Sequence, residues 1–547
     1  MIRRSVLLLA LASGFFSCFI TGAHAQSGTE LHFCLRGEPK TFNPLLVDDD
    51  ASENVRYLTG GVLIRVNRQT QALEPALAES WKVSQNGRSI TFHLRAGLGF
   101  SDGTPFTSND VAYTMRLLMD PQMHSATSDA FRSGDGKLNV QTPSPDVVTI
   151  TFPVPIGGLE RLFDQVAILS ARSPKKEMAT LGAYFVAEYK AGSYVLLRRN
   201  PNYWKRDAQG NHLPYIETVR LDIQRNRDIE LMRFRRGELQ LINRLDAEQF
   251  DRLEKENAAA ARNAGVGLDS EFLWFNQVPS SPLPDYKKKW FQTTEFRRAL
   301  SLAINRADLA RVVFFGYATP AYGPVSPSNH FWFNTSLPAP RYDPQNALAE
   351  LAKAGFRLEN GGLSDSTGHR VEFTLITNSA NAVRQKMATM IQQDLAQIGV
   401  NLKLVTLDFP SLIERMTKTF DYDACLLGLV NTDLDPNGQM TVWLSSGEDH
   451  QWNPNQKTPA TAWEAEIDRL MREQASSADE KLRKAKFDRV QQIVAEQQPF
   501  IYLVNENALS AVSAEVSGAA PVALNPQAFW NIDTLRLGPS KQLGATK

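Results

Sequence analysis

The sequence of 547 residues has little of several things that would assign it to a class. It has only three cysteines, too few for a disulfide scaffold or for an iron–sulfur cluster with four cysteine ligands. Its 59 basic residues equal its 59 acidic residues, so it lacks the basic excess that a nucleic-acid-binding surface normally shows. The hydrophobic fraction of 43% excludes a mostly disordered chain, and the length predicts several domains.

The first 25 residues have the pattern of a secretory signal peptide. The rest of the sequence lacks hydrophobic runs long enough to span a membrane. Arg3 and Arg4 precede a mostly apolar run at 6–20, and Ala-His-Ala follows at 23–25. The run is too short for a stable membrane-spanning helix, so we predict a secreted protein that is cleaved after Ala25. The alternatives are an uncleaved N-terminal anchor or lipidation at Cys18.

Catalytic and metal-binding motifs are scarce. The eight histidines form no H-E-x-x-H pair, and there is no phosphate-binding loop or calcium loop. G-x-S-x-G occurs at 99–103, but a nucleophile elbow needs a helix that begins at its serine, whereas Asp102-Gly103 favours a turn. We therefore expect no enzyme, no cofactor and no metal. A secreted serine hydrolase that uses Ser101 is the least favoured alternative.

Local patterns predict alternating helices and strands. Thr107 to Asp110 should cap a helix, and apolar residues at helical spacing predict further helices from Phe296 and from Val383. Asn305 is expected to cap a second helix that ends at Gly316. Alternating or continuous apolar residues predict strands at 31–35, 89–94, 400–404 and 500–504. A helix followed by a strand indicates an α/β lobe in the second half.

Four segments carry more specific motifs. The first is G-x-P-x-T-x-N-P at 37–44, and the second runs from EPALAESW at 74–81 through TFHLR at 91–95 to FSDGTPFT-x-x-DV at 100–111. The third joins GSY at 192–194 to RNPNYW at 199–204, and the fourth is FRRAL-x-x-AINR at 296–306. In residue types and order they resemble the bacterial extracellular solute-binding protein family 5, the periplasmic peptide- and nickel-binding components of ABC importers.

The resemblance implies an α/β fold of the large, three-domain periplasmic binding protein type, with a ligand cleft between two lobes. Lobe 1 would contain domain I (26–63, 189–276 and 500–547) and the smaller domain II (64–188). Lobe 2 would be domain III (277–499), with the chain crossing between lobes near 272–277 and 500–505. Cys34 and Cys425 would then lie in opposite lobes, so we expect buried free thiols, since a disulfide between them would lock the hinge.

The function implied by the resemblance is reversible capture of a solute by hinge closure, followed by delivery to an ABC permease. Peptides or peptide-like compounds are the first expectation for the ligand. The alternative is a nickel chelate, an opine or a sugar, because one fold accepts varied ligands. The expected partners are the ligand and the permease subunits, with no nucleic acid, and the protein is expected to be a monomer.

The candidate ligand contacts follow from the same resemblance. In the family's peptide binders, an acidic residue just before an acid–proline pair meets the ligand's α-ammonium. The corresponding segment here is N-T-D-L-D-P at 431–436, so Asp433 is the first candidate, together with Asn431 and Thr432. A loop-capping role for Asp433 is the alternative.

Three further residues are second-rank candidates. Phe42 and Asn43 lie on the loop after the first strand, and Trp332 lies in an aromatic stretch, where a core or surface position is the alternative.

Overall fold

The computed structural model describes residues 30–123, 125–131, 137–174, 178–339, 341–429 and 434–538. The predicted signal peptide lies outside these ranges, and so do Asn431, Thr432 and Asp433. Within the described residues, no helix is both long and apolar enough to cross a membrane.

Strands and helices alternate along the described chain. The strands are β1 (Glu30–Leu35), β2 (Ile64–Val66), β3 (Leu73–Pro75), β4 (Ala78–Val83), β5 (Ser89–Leu94), β6 (Asn139–Ser144), β7 (Val147–Thr151), β8 (Tyr184–Lys190), β9 (Tyr194–Arg199), β10 (Thr218–Ile223), β11 (Leu241–Ile242), β12 (Ala261–Phe275), β13 (Ala318–Pro320), β14 (Arg357–Glu359), β15 (Gly362–Ser364), β16 (Glu372–Asn378), β17 (Asn401–Leu407), β18 (Ala424–Leu429), β19 (Phe500–Val512), β20 (Val516–Ser517) and β21 (Arg536–Leu537). The helices are α1 (Asp50–Thr59), α2 (Ser108–Leu118), α3 (Leu159–Leu162), α4 (Arg227–Arg235), α5 (Ala247–Asn257), α6 (Asp285–Gln292), α7 (Thr294–Leu302), α8 (Arg306–Asp308), α9 (Pro344–Lys353), α10 (Ala382–Ala396), α11 (Phe409–Glu414), α12 (Met440–Trp443), α13 (Ala462–Ala475) and α14 (Glu480–Gln497).

The first lobe is built on two four-stranded sheets. One has the order β1-β10-β9-β8, and the other has the order β4-β5-β7-β6. Each sheet has its own apolar core, with Phe33, Val195 and Phe529 in the first and Phe92, Met115 and Phe163 in the second. Two separate cores in one lobe agree with a chain too long for a single hydrophobic core.

The second lobe is built around a larger sheet with the order β11-β19-β12-β18-β16-β17, in which β13 also pairs with β19. Strand β16 runs parallel to β17 and to β18, and helix α10 forms the crossover between β16 and β17, as parallel strands require. One face packs Phe296 and Met387 against β12, and the other packs Trp452 and Phe487 against Phe500.

Two long antiparallel strands, β12 and β19, connect the lobes. Their pairing begins at Ala261 with Ala511, next to the first lobe, and reaches Trp274 with Phe500 in the second. The register shifts three times between Asn263 and Phe272, and a bulge of this kind bends a strand and redirects its side chains. The two crossing strands are therefore irregular in the stretch where the lobes meet.

Several local predictions are confirmed. The strand at 89–94 has the predicted bounds, and the Thr107 hydroxyl with the Asp110 carboxylate forms a reciprocal capping box on α2. The Asn305 side chain accepts from the Asp308 N–H as the cap of α8, and Gly316 follows with φ +84°, a value that glycine adopts without strain. The structure does not test the domain boundaries, which stay a prediction.

The two described cysteines, Cys34 and Cys425, are buried free thiols. Burial raises the pKa of the Cys34 thiol to about 12 and raises the pKa of the Cys425 thiol well above its ordinary value. Neither thiol is therefore present as the reactive thiolate at neutral pH.

Candidate functional site

A cavity of about 460 Å³ lies where the crossing strands meet both lobes. Its wall includes Asp269, Ser270 and Glu271 of β12 and Glu506 of β19. Asn378 at the end of β16 and Gly428–Leu429 at the end of β18 complete the second-lobe side. Ligands of open α/β sheets bind outside the carboxyl ends of parallel strands, and the volume falls in the range of about 300–1,000 Å³ for small-molecule sites.

One wall of the cavity is held by an ion pair between β12 and α10. Arg384 donates from Nε and Nη2 to the two Glu271 carboxylate oxygens, each at 2.8 Å. A Cβ added at Gly428 would stand 2.6 Å from Glu271 Oε1 and 2.9 Å from Arg384 Nη2. A glycine is therefore needed at this point of β18 for the two-pronged pair to form.

The first-lobe wall carries three arginines, Arg36, Arg227 and Arg244. Arg244 Nη2 bonds Asp269 Oδ2 at 2.5 Å, whereas Arg227 Nη1 stands 3.9 Å from Asp246 Oδ2. The guanidinium of Arg36 donates from Nη2 to the backbone oxygen of Arg244. Burial and the nearby charge of Arg227 lower the pKa of Arg36 to about 10, so its positive charge is present but incompletely balanced.

Glu506 is the acidic residue of the cavity whose charge is least balanced. Burial, together with the negative charges of Glu271 and Asp269, raises the pKa of its carboxyl to about 7. Among the described residues its carboxylate has no ion-pair partner. The cavity thus combines an arginine-rich wall with a carboxyl group that is poised to change charge near neutral pH.

The residues predicted from the sequence lie elsewhere or outside the described chain. Phe42 packs edge-on against Tyr189 with ring centroids 5.0 Å apart. Asn43 is buried, and its side-chain oxygen accepts from the Leu45 N–H at 3.0 Å. Trp332 is only 3% exposed and packs in the second-lobe core. None of these three lines the cavity, and their role as ligand contacts stays a prediction.

The Asp-Pro pair that pointed to Asp433 has a structural role in its described part. Asp435 caps the turn at 436–439 by accepting from the Asn437 N–H, and it forms a buried ion pair with Arg483 at 2.5 and 2.8 Å. Leu429, the last described residue before the gap, lines the cavity. Asp433 itself lies outside the described residues.

Ser101 lacks the surroundings of a catalytic nucleophile. Its Oγ accepts a hydrogen bond from the Thr180 N–H at 3.1 Å, and none of the described histidines bonds it. A serine nucleophile needs an adjacent base. Within the described residues there is also no cluster of three or more histidine, cysteine or acidic side chains that could hold a metal ion.

The two lobes contact each other directly at Gly157. The Gly157 N–H donates to the Ala475 oxygen at 2.6 Å, and Asn437 Nδ2 donates to the Gly157 oxygen at 2.8 Å. A Cβ at Gly157 would stand 2.4 Å from Arg483 Nε. These contacts join the first lobe to helices of the second.

Sequence reasoning missed the charged residues of the cavity, although a signal for them exists. Asp269 and Glu271 lie just before the apolar stretch 272–275, and Glu506 lies in the polar stretch 505–507 that follows the apolar residues 500–504 of the same strand. Charged residues are almost never buried unless paired, so a charged residue next to an apolar stretch of a strand marks either an ion pair or a site.

Comparison with known proteins places the chain among solute-binding proteins. The sequence model described as "Bacterial extracellular solute-binding proteins, family 5 Middle" matches residues 72–451. The oligopeptide-binding protein AppA of Bacillus subtilis is 26% identical over 522 residues, which cover 90% of this chain and 89% of that protein.

Two solved structures show the same fold at low identity. AppA from Bacillus subtilis in complex with a nonapeptide has a TM-score of 0.70 at 24% identity, covering 94% of this chain and 99% of that one. NikZ from Campylobacter jejuni in complex with Ni(L-His) has a TM-score of 0.75 at 19% identity, covering 93% and 99%. The two-lobed fold is thus common to a peptide complex and a metal–amino acid complex.

Proposed function

Because the chain belongs to the bacterial extracellular solute-binding proteins of family 5, we propose that it captures peptides or peptide-like solutes for an ABC importer. The observation that carries the proposal is the charged cavity of about 460 Å³ between the lobes. A ligand with charged termini would find opposite charges there, and desolvated charges must be paired to be stable. The named peptide-binding relative AppA points to the same class of ligand.

The mechanism is reversible capture by closure of the lobes. The cavity is lined by Arg36 and Arg244 from the first-lobe side, by Asn378 and Arg384 from the second lobe, and by the crossing strands. A ligand that contacts both lobes binds the closed state more tightly than the open state, and only this difference in affinity can drive closure. A permease that recognises the closed form would then receive loaded protein.

The finer assignments are part of this proposal. We propose that the protein acts in the periplasm as a monomer after cleavage at Ala25, and without chemistry or cofactor. Asp433, with Asn431 and Thr432, is proposed to meet the ligand's α-ammonium. Phe42, Asn43 and Trp332 remain second-rank ligand contacts.

A second candidate is a non-peptide solute, a nickel chelate, opine or sugar. The three arginines on the first-lobe wall favour, within this group, a ligand with more than one carboxylate, because guanidinium groups bind carboxylates through paired hydrogen bonds. The complex of NikZ with Ni(L-His) shows that the same fold accommodates a nickel complex of an amino acid.

Native mass spectrometry of the protein purified from its periplasm tests the proposed function. The expected result is a mass excess that disappears after denaturation, with released compounds that fragment as peptides. Release of an opine or a metal chelate would favour the second candidate. A Ser101→Ala variant should retain the same bound compounds, whereas accumulation of an uncleaved compound only in that variant would favour a hydrolase.

A further inference from the structure

The charges that line the cavity do not all find partners within the protein. The eight charged residues of the wall divide into four arginines and four acids: Arg36, Arg227, Arg244, Arg384, Asp246, Asp269, Glu271 and Glu506. Three ion pairs use six of them, namely Arg384 with Glu271, Arg244 with Asp269, and the longer pair of Arg227 with Asp246. Within the described chain, Arg36 and Glu506 are the two left without an oppositely charged partner.

The surroundings of Arg36 favour a bound anion. It lies at the end of β1, with its guanidinium against the backbone of Arg244, and its pKa is lowered by burial and by the charge of Arg227. The buried Glu230 of α4 opposes this positive charge, but burial raises the pKa of Glu230 itself to about 7. A ligand carboxylate would relieve the crowding of positive charge and accept the unused guanidinium donors.

The surroundings of Glu506 favour a bound cation. Two acids of β12, Asp269 and Glu271, face it, and the arginines that face it, Arg244 and Arg384, are already bonded to those same two acids. A partly buried carboxylate beside two other acids is unfavourable unless a positive charge balances it. An ammonium group placed beside Glu506 would supply the missing hydrogen bonds and the missing charge.

We propose that Arg36 and Glu506 are two opposite anchors for a small zwitterionic ligand, with Arg36 binding its carboxylate and Glu506 binding its ammonium. This inference rests on the proposed function and makes it narrower, since it requires both free termini, or their equivalents, on one compound. Glu506 lies on β19, one of the two strands that connect the lobes. Arg227, with its long ion pair, assists at the carboxylate end.

A consequence is that binding is coupled to a proton. Because the carboxyl of Glu506 has a pKa of about 7, part of the unliganded protein carries it protonated at neutral pH. An ammonium ligand favours the ionised form, so its binding releases a proton and its affinity rises with pH.

Ligand-free protein, prepared by unfolding in guanidinium chloride and refolding, is the material for the test. The probe is an equimolar mixture of di- and tripeptides offered in three forms: unblocked, N-acetylated and C-amidated. Mass spectrometry identifies the retained peptides, and calorimetry measures the affinity of the tightest one in all three forms. Wild type is compared with Glu506→Gln and Arg36→Gln, and with the control variants Glu515→Gln and Arg262→Gln, which do not line the cavity.

We expect each blocked peptide terminus to matter less in the variant that lacks the corresponding anchor. N-acetylation should weaken binding at least about tenfold in wild type and distinctly less in Glu506→Gln, because one of the charge-assisted hydrogen bonds that the acetyl group removes is already absent from this variant. C-amidation should behave in the same way with Arg36→Gln, and the controls should match wild type. A merely structural role would lower the affinity for all three forms equally.

The outcomes that would contradict the anchor pair differ from those that would contradict the peptide-binding function. If blocked and unblocked peptides bind wild type alike, or if Glu506→Gln discriminates as strongly as wild type, the anchor pair is wrong while the peptide function stands. If wild type retains none of the peptides in any form, the peptide function fails and the inference fails with it. Melting curves show that each variant is folded.

Discussion

Two glutamates in the same protein show the difference between scaffold and site. Glu464, in the second-lobe core, accepts hydrogen bonds from Trp452 Nε1, Gln456 Nε2 and Thr461 Oγ1 at 2.8–3.0 Å and contacts His450 Nε2 at 3.2 Å. Burial alone would raise its pKa, but these hydrogen bonds outweigh burial and lower it to about 2. Glu506, in the cavity, has no such donors among the described residues, and its pKa is raised to about 7.

The contrast teaches that burial by itself does not identify a functional residue. Burial disfavours the charge of both carboxyl groups, but the described residues satisfy Glu464 and supply no ion-pair partner for Glu506. A satisfied group contributes to the stability of the fold, whereas an unsatisfied group beside a cavity costs stability and is retained for binding. The following predictions test this distinction.

Replacing Glu464 by alanine should have the largest effect. The substitution leaves several buried donors without an acceptor, so we expect the free energy of unfolding to fall by about 3–5 kcal/mol. The pKa of Glu464 is below its ordinary value of 4.5, so its contribution is present above that pH and is lost as the pH falls towards 2. Urea unfolding at pH 7 and pH 3 measures both effects. If the variant were as stable as wild type at pH 7, Glu464 would not be the stabilising residue that the comparison with Glu506 requires.

Replacing Asp433 by asparagine tests whether the ammonium has a second anchor. We expect binding of a peptide with a free amino terminus to weaken by about 1.5–3 kcal/mol, the range for a hydrogen bond to a charged group. Calorimetry with the unblocked peptide and its N-acetylated form measures the loss. An unchanged affinity would leave Asp433 with its alternative role as a loop cap and make Glu506 the main anchor.

Replacing Gly157 by alanine should impair closure without touching the cavity. The new Cβ would stand 2.4 Å from Arg483 Nε and 2.8 Å from the Gln474 oxygen, so the closed state should lose about 1–3 kcal/mol through overpacking. Gly99→Ala is the matched control, since its Cβ would make an ordinary contact at 3.5 Å. Calorimetry and small-angle scattering with ligand present should show weaker binding and a larger radius of gyration for Gly157→Ala alone. Equal compaction in the two variants would contradict a closing role for this contact.

The pH dependence of binding should be a smaller effect than those of the substitutions above, and it tests whether binding is coupled to the ionisation of Glu506. For a carboxyl group with a pKa of about 7, the affinity for an ammonium ligand should rise about fivefold from pH 6 to pH 7. A peptide ammonium stays mostly charged over this interval. Calorimetry in buffers of different ionisation enthalpy should also detect proton release. A pH-independent affinity in wild type, or the same slope in Glu506→Gln, would contradict the coupling.

Replacing Glu506 by glutamine should have the smallest effect on stability. A carboxyl group whose folded pKa is raised costs stability as the pH rises through the interval between its ordinary value of 4.5 and about 7. The neutral variant should therefore unfold at the same urea concentration as wild type at pH 8, or at a higher one. A loss comparable to that of Glu464→Ala would show that Glu506 belongs to the scaffold after all.

Much of the local structure could be predicted because it depends on neighbours in sequence. The alternation at 89–94 predicted its strand, and the Thr107–Asp110 pair predicted the start of α2. The helix expected from Val383 is α10, Ala382–Ala396. The resemblance to family 5 also implied the two-lobed fold. These inferences needed only spacing, capping and motif order.

The residues of the candidate site could be predicted from the sequence much less well. The sequence indicated Phe42 and Trp332 as contacts, but an aromatic residue looks the same in a core and in a cleft until its packing is known. It did not indicate Arg36 or Glu506, because an arginine and a glutamate carry no sign of whether they are paired. Arg384 and Glu271, 113 residues apart, form an ion pair that no local pattern specifies.

The sequence by itself determined the elements, the family and the shortage of catalytic motifs, since these follow from residues close together in the chain. Only the tertiary structure decided which charges are satisfied. Arg36 and Glu506 are far apart in the sequence, and the fold brings the end of β1 and the strand β19 to one cavity. Whether a buried charge stabilises the fold or awaits a ligand depends on partners that the chain supplies from far away.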